Sequence, residues 1–357
     1  MNNSNFSKIS VIVPLRNDCL YLLRLLKYFE SYNFAAKILI LDSSSDENKR
    51  VNIATISSFP LLDISLNHYP NDILFMSKVT DAPNHVITKY SVFCAADDFL
   101  TPNGIFQCVR FLEENPDFAV ADGYYIRFWL ELDSVGVPVF VWKSIYPHKS
   151  ITFPDAKSRL SYYLPNYRPS FYAVHRTEIL KLILTETGKY TTDYRFGELL
   201  PATLATVYGK MQHMDVLCYA RDYIPAAFYP ARPKLKDFIK DGSYEKRYAD
   251  FCNCLAMHLS AKEQMDVREA KKVVDEAMFL YFTSHVMSNK MKDEKTRLLH
   301  KQRSLKEKEI NANFEHSTRA GFSKYHADLE RIRSSALAGA ITIYKPGLKE
   351  IASTLVG

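Results

Sequence analysis

Two hydrophobic periods alternate along the first hundred residues. Residues 9–13 are a short apolar run that stops at Pro14, the pattern of a strand buried on both faces. Residues 20–29 then place Leu22, Leu23, Leu26 and Phe29 at helical spacing. KILILD (37–42) predicts a second buried strand, followed by a serine-rich turn and a polar helix over 48–58. LDISLNHY predicts a third strand, 72–81 a helix and YSVFCA a fourth strand. Pro102 opens a helix to 114, where proline is tolerated at the first turn, and FAVADG supplies a further strand. Strands and helices alternating through short connections predict right-handed βαβ units and a mostly parallel sheet covered by helices, an α/β fold.

Beyond residue 123 the pattern loosens. YYIRFWLELD and VPVFVW predict a hairpin that leaves the main sheet, and NYRPSFYAVHR leads into a helix from 177. TTDYRFGELLPATLATVYG predicts another helix, with Glu198 near its start. Past residue 230 the chain turns basic (ARPKLKDFIKDGSYEKR) and then helical, so a boundary is expected there: 1–230 and a helical 231–357. The run 290–309 carries eight Lys or Arg and four acids, which reads as a solvated helix, with a membrane-surface role as the alternative. The apolar terminal segment ALAGAITIYKPGLKEIASTLVG would suit packing on a neighbour or homodimerisation.

Composition narrows the partners. A net charge of +6 over 357 residues fits anionic small ligands or an anionic membrane surface and does not point to nucleic acid. No apolar run approaches the roughly 20 residues of a membrane span. The start, MNNSNFSKIS, lacks a secretory pattern, and the six cysteines show no zinc spacing, so a reducing cytoplasm is the expected setting, with the inner face of the membrane as a variant.

In parallel sheets ligands bind beyond the carboxyl ends of the strands. The polar residues concentrate there: Arg16 and Asn17 after the first strand, Asp42 to Asp46 after the second, Asp97 and Asp98 after the fourth. The first turn, PLRNDCL, has no glycine, which excludes a dinucleotide fingerprint and a phosphate-cradling P-loop. VIVPLRN, ILILDSSSDEN, YSVFCAADDFLTPNG with its helix, the FGELL helix and YAR (219–221) together resemble the GT-A glycosyltransferases, in particular glycosyltransferase family 2. The resemblance covers residues 8–225 and implies transfer of one sugar from a nucleotide-diphosphate sugar to an acceptor hydroxyl, with inversion. It implies a glycan or lipid-linked acceptor, and a surface polysaccharide or glycoconjugate pathway. Processive synthesis is not expected, since Trp129 and Trp142 form no Gln-x-x-Arg-Trp motif.

By that resemblance Pro14, Arg16 and Asn17 line the nucleotide pocket, and Asp42 meets the base with Ser44 and Asp46 nearby. Capping of the next turn is the plainer role for Asp42 to Asp46. Asp98 is the implied metal ligand and Asp97 its neighbour toward the ribose. The cofactor is a divalent cation, Mn²⁺ or Mg²⁺, whose hard charge suits carboxylate oxygens. The family often carries three acids here. This chain has Ala95 and Ala96 before Asp97, so weaker metal binding is expected. Glu198 matches the family's acid on the acceptor-side helix and is the implied general base, with Asp193 in reserve; a first-turn glutamate favoured by the helix dipole is the alternative. Arg221 is the implied diphosphate partner, with Lys78, Arg168 and Arg176 behind it. His175 and His213 are candidates for completing a metal shell. Two rival activities stay open: a catalytically silent nucleotide-sugar-binding protein, and a sugar-phosphate nucleotidyltransferase, which should show the missing Gly-rich loop.

Overall fold

The computed structural model describes residues 7–145, 149–191, 194–223, 242–286 and 322–343. Its first half follows the hydrophobic periods closely. Strand β1 (Ile9–Leu15) leads into α1 (Cys19–Ser31), β2 (Lys37–Asp42) into α2 (Asp46–Ser57), and β3 (Ile64–His68) into α3 (Phe75–Asp81). Next come β4 (Tyr90–Phe93), the two-residue β5 (Phe99–Leu100) and α4 (Pro102–Glu114). The second half holds β6 (Phe118–Leu132), β7 (Pro138–Ile145), α5 (Ala156–Tyr163), β8 (Val174–Arg176), α6 (Thr177–Tyr190), α7 (Tyr194–Tyr208) and β9 (Lys210–Asp222). Helices α8 (Tyr244–Glu263), α9 (Val267–Tyr281) and α10 (His326–Ile343) follow.

The strands form one sheet in the order β3-β2-β1-β4-β8-β6-β9-β5, with β7 paired to β6 off this path. Neighbours are parallel through β3-β2-β1-β4 and again between β6 and β9; β8, β5 and β7 pair antiparallel. Alternate side chains of each buried strand enter opposite cores, as the two-residue strand period requires. Val11, Val13, Ile38 and Ile40 join the core on one face, with α1 and α4. Ile12, Leu39 and Leu41 join the core on the other, with α3, α5, α6 and α7. Both faces are therefore covered, which is why these strands read as unbroken apolar runs.

Helices beyond residue 242 share those cores. Phe251, Cys252, Leu255 and Leu259 of α8 pack with Phe196 and Leu199 of α7. Ile332, Ala336 and Ala340 of α10 pack with α1, where Tyr32 Oη donates to Asp328 at 3.1 Å. No described helix is long and apolar enough to cross a membrane.

Several elements differ from expectation. FAVADG and the aromatic stretch after it are one 15-residue strand, β6, whose outer half forms the expected hairpin with β7. Helix α2 starts two residues early because Ser45 caps it, accepting from Asn48 N–H. Helix α3 starts only at Phe75. Strand β9 is 13 residues long, although only its YAR segment stands out in the sequence. The boundary near 230, the run 290–309 and the terminal residues after 343 lie outside the described residues.

Candidate active site

Register alone gathers the expected rim. Leu15 at the end of β1 pairs with Asp42 at the end of β2, Asp42 with His68, and Phe93 at the end of β4 lies beside Ile12. The loops after β1, β2 and β4 therefore open on one edge. Pro14 is half-buried in β1, while Arg16 and Asn17 are exposed just past it. Asn17 adopts a left-handed φ of 60°, a conformation that asparagine tolerates better than most residues. In that conformation its N–H donates to Ser44 Oγ at 2.8 Å, and its Oδ1 accepts from Ser45 N–H at 2.9 Å. The two loops are thus tied together. Asp42 is fully buried; it accepts from Ser44 N–H at 2.8 Å and from Asn52 Nδ2 at 3.0 Å. Its carboxylate shapes the β2 turn from within, while Asp46 is exposed on the first turn of α2.

The adjacent aspartates after β4 are held by the far end of the sheet. Residues 99 and 100 pair with Ala220 and Tyr219 of β9, and Thr101 N–H donates to Cys218 O at 2.8 Å. Gly104 has no alternative here: a Cβ would sit 1.9 Å from Leu217 O. Asp98 is buried (3% exposed); its Oδ1 accepts from Asp222 N–H at 2.9 Å and its Oδ2 faces Arg221 Nε at 3.8 Å. Burial, then the charge of Asp97, pushes the Asp98 carboxyl well above the usual range, with Arg221, Asp222 N–H and the Tyr172 hydroxyl opposing. Burial works against the Arg221 charge, but Asp98 and nearby tyrosines prevail and raise its pKa. Arg221 also lies 5.6 Å from the Tyr172 ring.

Arg24 locks the same turn from below. Its guanidinium is 2% exposed, pairs with Asp222 at 3.0 Å and donates to Asp97 O at 2.6 Å. It stacks 4.8 Å from both the Tyr21 and Phe99 rings. Ala96, where the resembled family often carries an acid, is 3% exposed and packs in the apolar core. A carboxylate there would face hydrocarbon.

The other cations divide sharply. Lys78 is buried beneath the rim, donating to Leu15 O at 2.9 Å and Ser43 Oγ at 2.7 Å. Burial lowers its pKa to about 8, against the pull of Asp42. Arg176 sits at the opposite edge, spent on the carbonyls of Phe118, Leu112 and Asn115. That position removes it from any diphosphate at the rim. Arg168 is exposed. His175 is buried against Ser170 O at 3.0 Å, its pKa lowered to about 4 by burial, and His213 bonds Asp122 at 2.8 Å. Among the described residues, neither histidine forms a ligand group with Asp97 and Asp98.

Glu198 stands in the first half of α7 and lines a small hollow with Phe93, Phe171, His175 and Leu180. The cavity volume of ≈ 20 Å³ is room for about one water, not for a sugar. Phe93 is the last residue of β4 and stacks on Phe171 at 4.4 Å, so Glu198 reaches the flank of the aspartate turn through two aromatic rings. Gly197 allows this approach: a Cβ there would meet Met76 Cγ of α3 at 2.7 Å. Asp193 lies outside the described residues.

Asp18 is the rim residue that sequence reading missed. It occupies the N-cap position of α1 yet makes no capping bond. Although Asp18 keeps an exposed face, crowding by the surrounding protein and then the charge of Asp97 push its carboxyl up to about 6, with Lys78 opposing. Carboxyls from two loops thus crowd together, and a hard divalent cation would relieve their repulsion. The carboxylate oxygens of Asp18, Asp97 and Asp98 suit Mn²⁺ or Mg²⁺ in kind, although among the described residues these three do not converge to within 4.8 Å of one another. The signal was available, since an aspartate before an amphipathic helix normally caps it and PLRND follows a buried strand directly.

No family model matches the sequence, and no curated protein matches it. Solved structures are similar at low identity. The S. aureus TarS fragment 1–349 is 15% identical over 78% of this chain and 72% of its own, with a TM-score of 0.47. The same fragment with UDP-GlcNAc is 14% identical over 77% of this chain and 91% of its own, with a TM-score of 0.44. The mannosyltransferase PcManGT from Pyrobaculum calidifontis, in complex with GDP-Man and Mn²⁺, is 15% identical over 94% of this chain and 86% of its own, at 0.44.

Proposed function

We propose that this chain is a glycosyltransferase that moves a single sugar from a nucleotide-diphosphate sugar to an acceptor hydroxyl. The observation that carries this reading is the joining of Asp97–Asp98 to Arg221 by β5–β9 pairing, at the edge where the loops of β1 and β2 also end. Such a rim offers what departure of a nucleoside diphosphate requires: fixed positive charge and carboxylates able to hold a metal. The diphosphate would lie against Arg221 and Arg16, with the nucleoside toward Pro14, Asn17 and the Asp42–Ser44 turn. Arg221 suits the role because its planar fork can meet two phosphate oxygens at once. Asp98 and Asp97, with Asp18 nearby, are the carboxylates that would hold a divalent cation. When bound, that ion would neutralise charge developing on the leaving diphosphate.

Glu198 is the residue we assign to take the acceptor proton in an inverting displacement, which needs one base opposite the leaving group. Its place on a helix beside the β4 end supports the assignment. A glycan or lipid-linked acceptor in surface polysaccharide or glycoconjugate synthesis is the setting we favour. The buried Ala96 supports a second reading, a binder of nucleotide sugars without turnover. Measuring nucleoside-diphosphate release from a panel of UDP-, GDP- and dTDP-sugars, with and without Mn²⁺, separates the two. Release from at least one donor above an Asp97→Asn control supports transfer. Saturable binding of a donor without any release supports the silent binder, and neither binding nor release refutes both.

A further inference from the structure

Glu186 of α6 and Cys254 and His258 of α8 converge away from the rim, offering one ligand atom each within 4.8 Å of one another. Cys254 and His258 are four residues apart on one helix and so share a face. Cys254 is fully buried, and the Glu186 and His258 side chains are each 15% exposed. The Tyr208 hydroxyl bonds His258 Nδ1, which leaves Nε2 turned toward Glu186. Lys189 takes the other glutamate oxygen, Oε1, at 2.6 Å. Both first ligands are therefore oriented by a second partner, as metal-bound histidines and carboxylates usually are.

The spacing is informative. His258 Nε2 stands 3.4 Å from Glu186 Oε2. The two groups interact directly, yet the gap is longer than the roughly 2.7–2.9 Å of a close charge-assisted hydrogen bond. Ligands about 2.0–2.2 Å from a tetrahedral zinc are instead separated by roughly 3.4 Å, the edge of the tetrahedron. Thiol, imidazole and carboxylate together form a mixed soft and borderline donor set that selects zinc over Mg²⁺ or Mn²⁺.

We propose that Glu186, Cys254 and His258 bind one Zn²⁺, with water in the fourth position, clamping α8 onto α6. Loading exchanges the Cys254 thiol proton for the ion. The clamp fastens the helices after residue 242 to the side of the molecule that carries α7 and Glu198.

The test uses the full chain, stripped with chelator and titrated with Zn²⁺ against a chromogenic competitor, with Co²⁺ as a spectroscopic substitute. One Zn²⁺ per chain, a higher Tm on loading and a thiolate-to-cobalt charge-transfer band are expected. Cys254→Ser and His258→Gln should each weaken binding by at least about 100-fold, and Tyr208→Phe, which keeps all three ligands, by about 10-fold. Cys252→Ser, two residues from the site in the buried core, should leave zinc stoichiometry and affinity unchanged whatever it does to the Tm of the zinc-free protein. A cobalt spectrum without the thiolate band overturns the proposal in the unaltered protein, whatever the variants do. Undiminished stoichiometry and affinity in both ligand variants, or no retained zinc in the wild type, overturns it equally.

Discussion

Removing the buried guanidinium of Arg24 should be among the most damaging single changes in the molecule. The side chains of Arg24 and Asp222 are 2% and 1% exposed and lie 3.0 Å apart. Arg24→Met keeps most of the apolar stem but leaves the Asp222 carboxylate buried opposite a thioether. Stranding one member of such a pair costs about 3–5 kcal/mol. At roughly 2 °C per kcal/mol for a chain of this size, thermal unfolding should fall by about 6–10 °C. The double variant Arg24→Met/Asp222→Leu removes both charges and should recover most of the lost stability. It cannot restore the bond from Arg24 to Asp97 O at 2.6 Å. Donor binding should therefore stay impaired in the recovered double variant. Circular dichroism melts and urea titrations give the stability, and donor titration gives the second readout. A single variant within 1 kcal/mol of wild type, or a stable double variant with normal donor affinity, would refute the assignment of Arg24 as the support of the aspartate turn.

Glu198→Gln should lower transfer by roughly 10²–10⁴ while donor affinity stays unchanged, as steady-state rates and calorimetric donor titration would show. Gly104→Ala drives a Cβ to 1.9 Å from the Leu217 carbonyl, so α4 must lift from β9; we expect a loss of about 1–3 kcal/mol in urea unfolding together with weaker donor binding. Lys78 has a folded pKa of about 8 against an ordinary 10.5. Below pH 8 it is charged in both states and its burial counts fully against folding. Between pH 8 and 10.5 the unfolded chain binds more protons, so this contribution to stability rises with pH, by up to about 3 kcal/mol. The difference between wild type and Lys78→Met in urea titrations should change across that window, and a flat difference would contradict the burial argument.

Much of the frame was legible because buried parallel strands announce themselves. ISVIVPL is apolar but for Ser10, and KILILD carries its polar residues only at its two ends, so the apolar run of each reads clearly and its end marks the rim directly. Strand β9 was not legible: KMQHMDVLCYARD mixes polar and apolar residues because its pairing with β6 is interrupted by register shifts. Without that strand, the sequence could not reveal that Arg221 and Asp222 return to the aspartate turn. Arg24 was hidden for a related reason. An arginine inside an amphipathic helix reads as a solvated stem until a distant acid, 198 residues away, is folded against it. Asp42 and Asp46 lie one turn apart, yet one is buried scaffold and the other exposed; residue type does not separate them. The Glu186–Cys254–His258 cluster brings Glu186 to residues 68 and 72 positions further along the chain, and the cysteine spacing alone gave no sign of it.

The central claim is that the rim around Asp97, Asp98 and Arg221 receives the diphosphate of a sugar nucleotide. Calorimetric titration of UDP and GDP, each with and without Mn²⁺, tests it on the wild type and on Arg221→Ala and Asp97→Asn. Saturable one-to-one binding is predicted for at least one nucleotide, with Arg221→Ala weakening it in every condition and Asp97→Asn abolishing the gain from Mn²⁺. Binding that neither substitution alters, or no binding of either nucleotide, would contradict it.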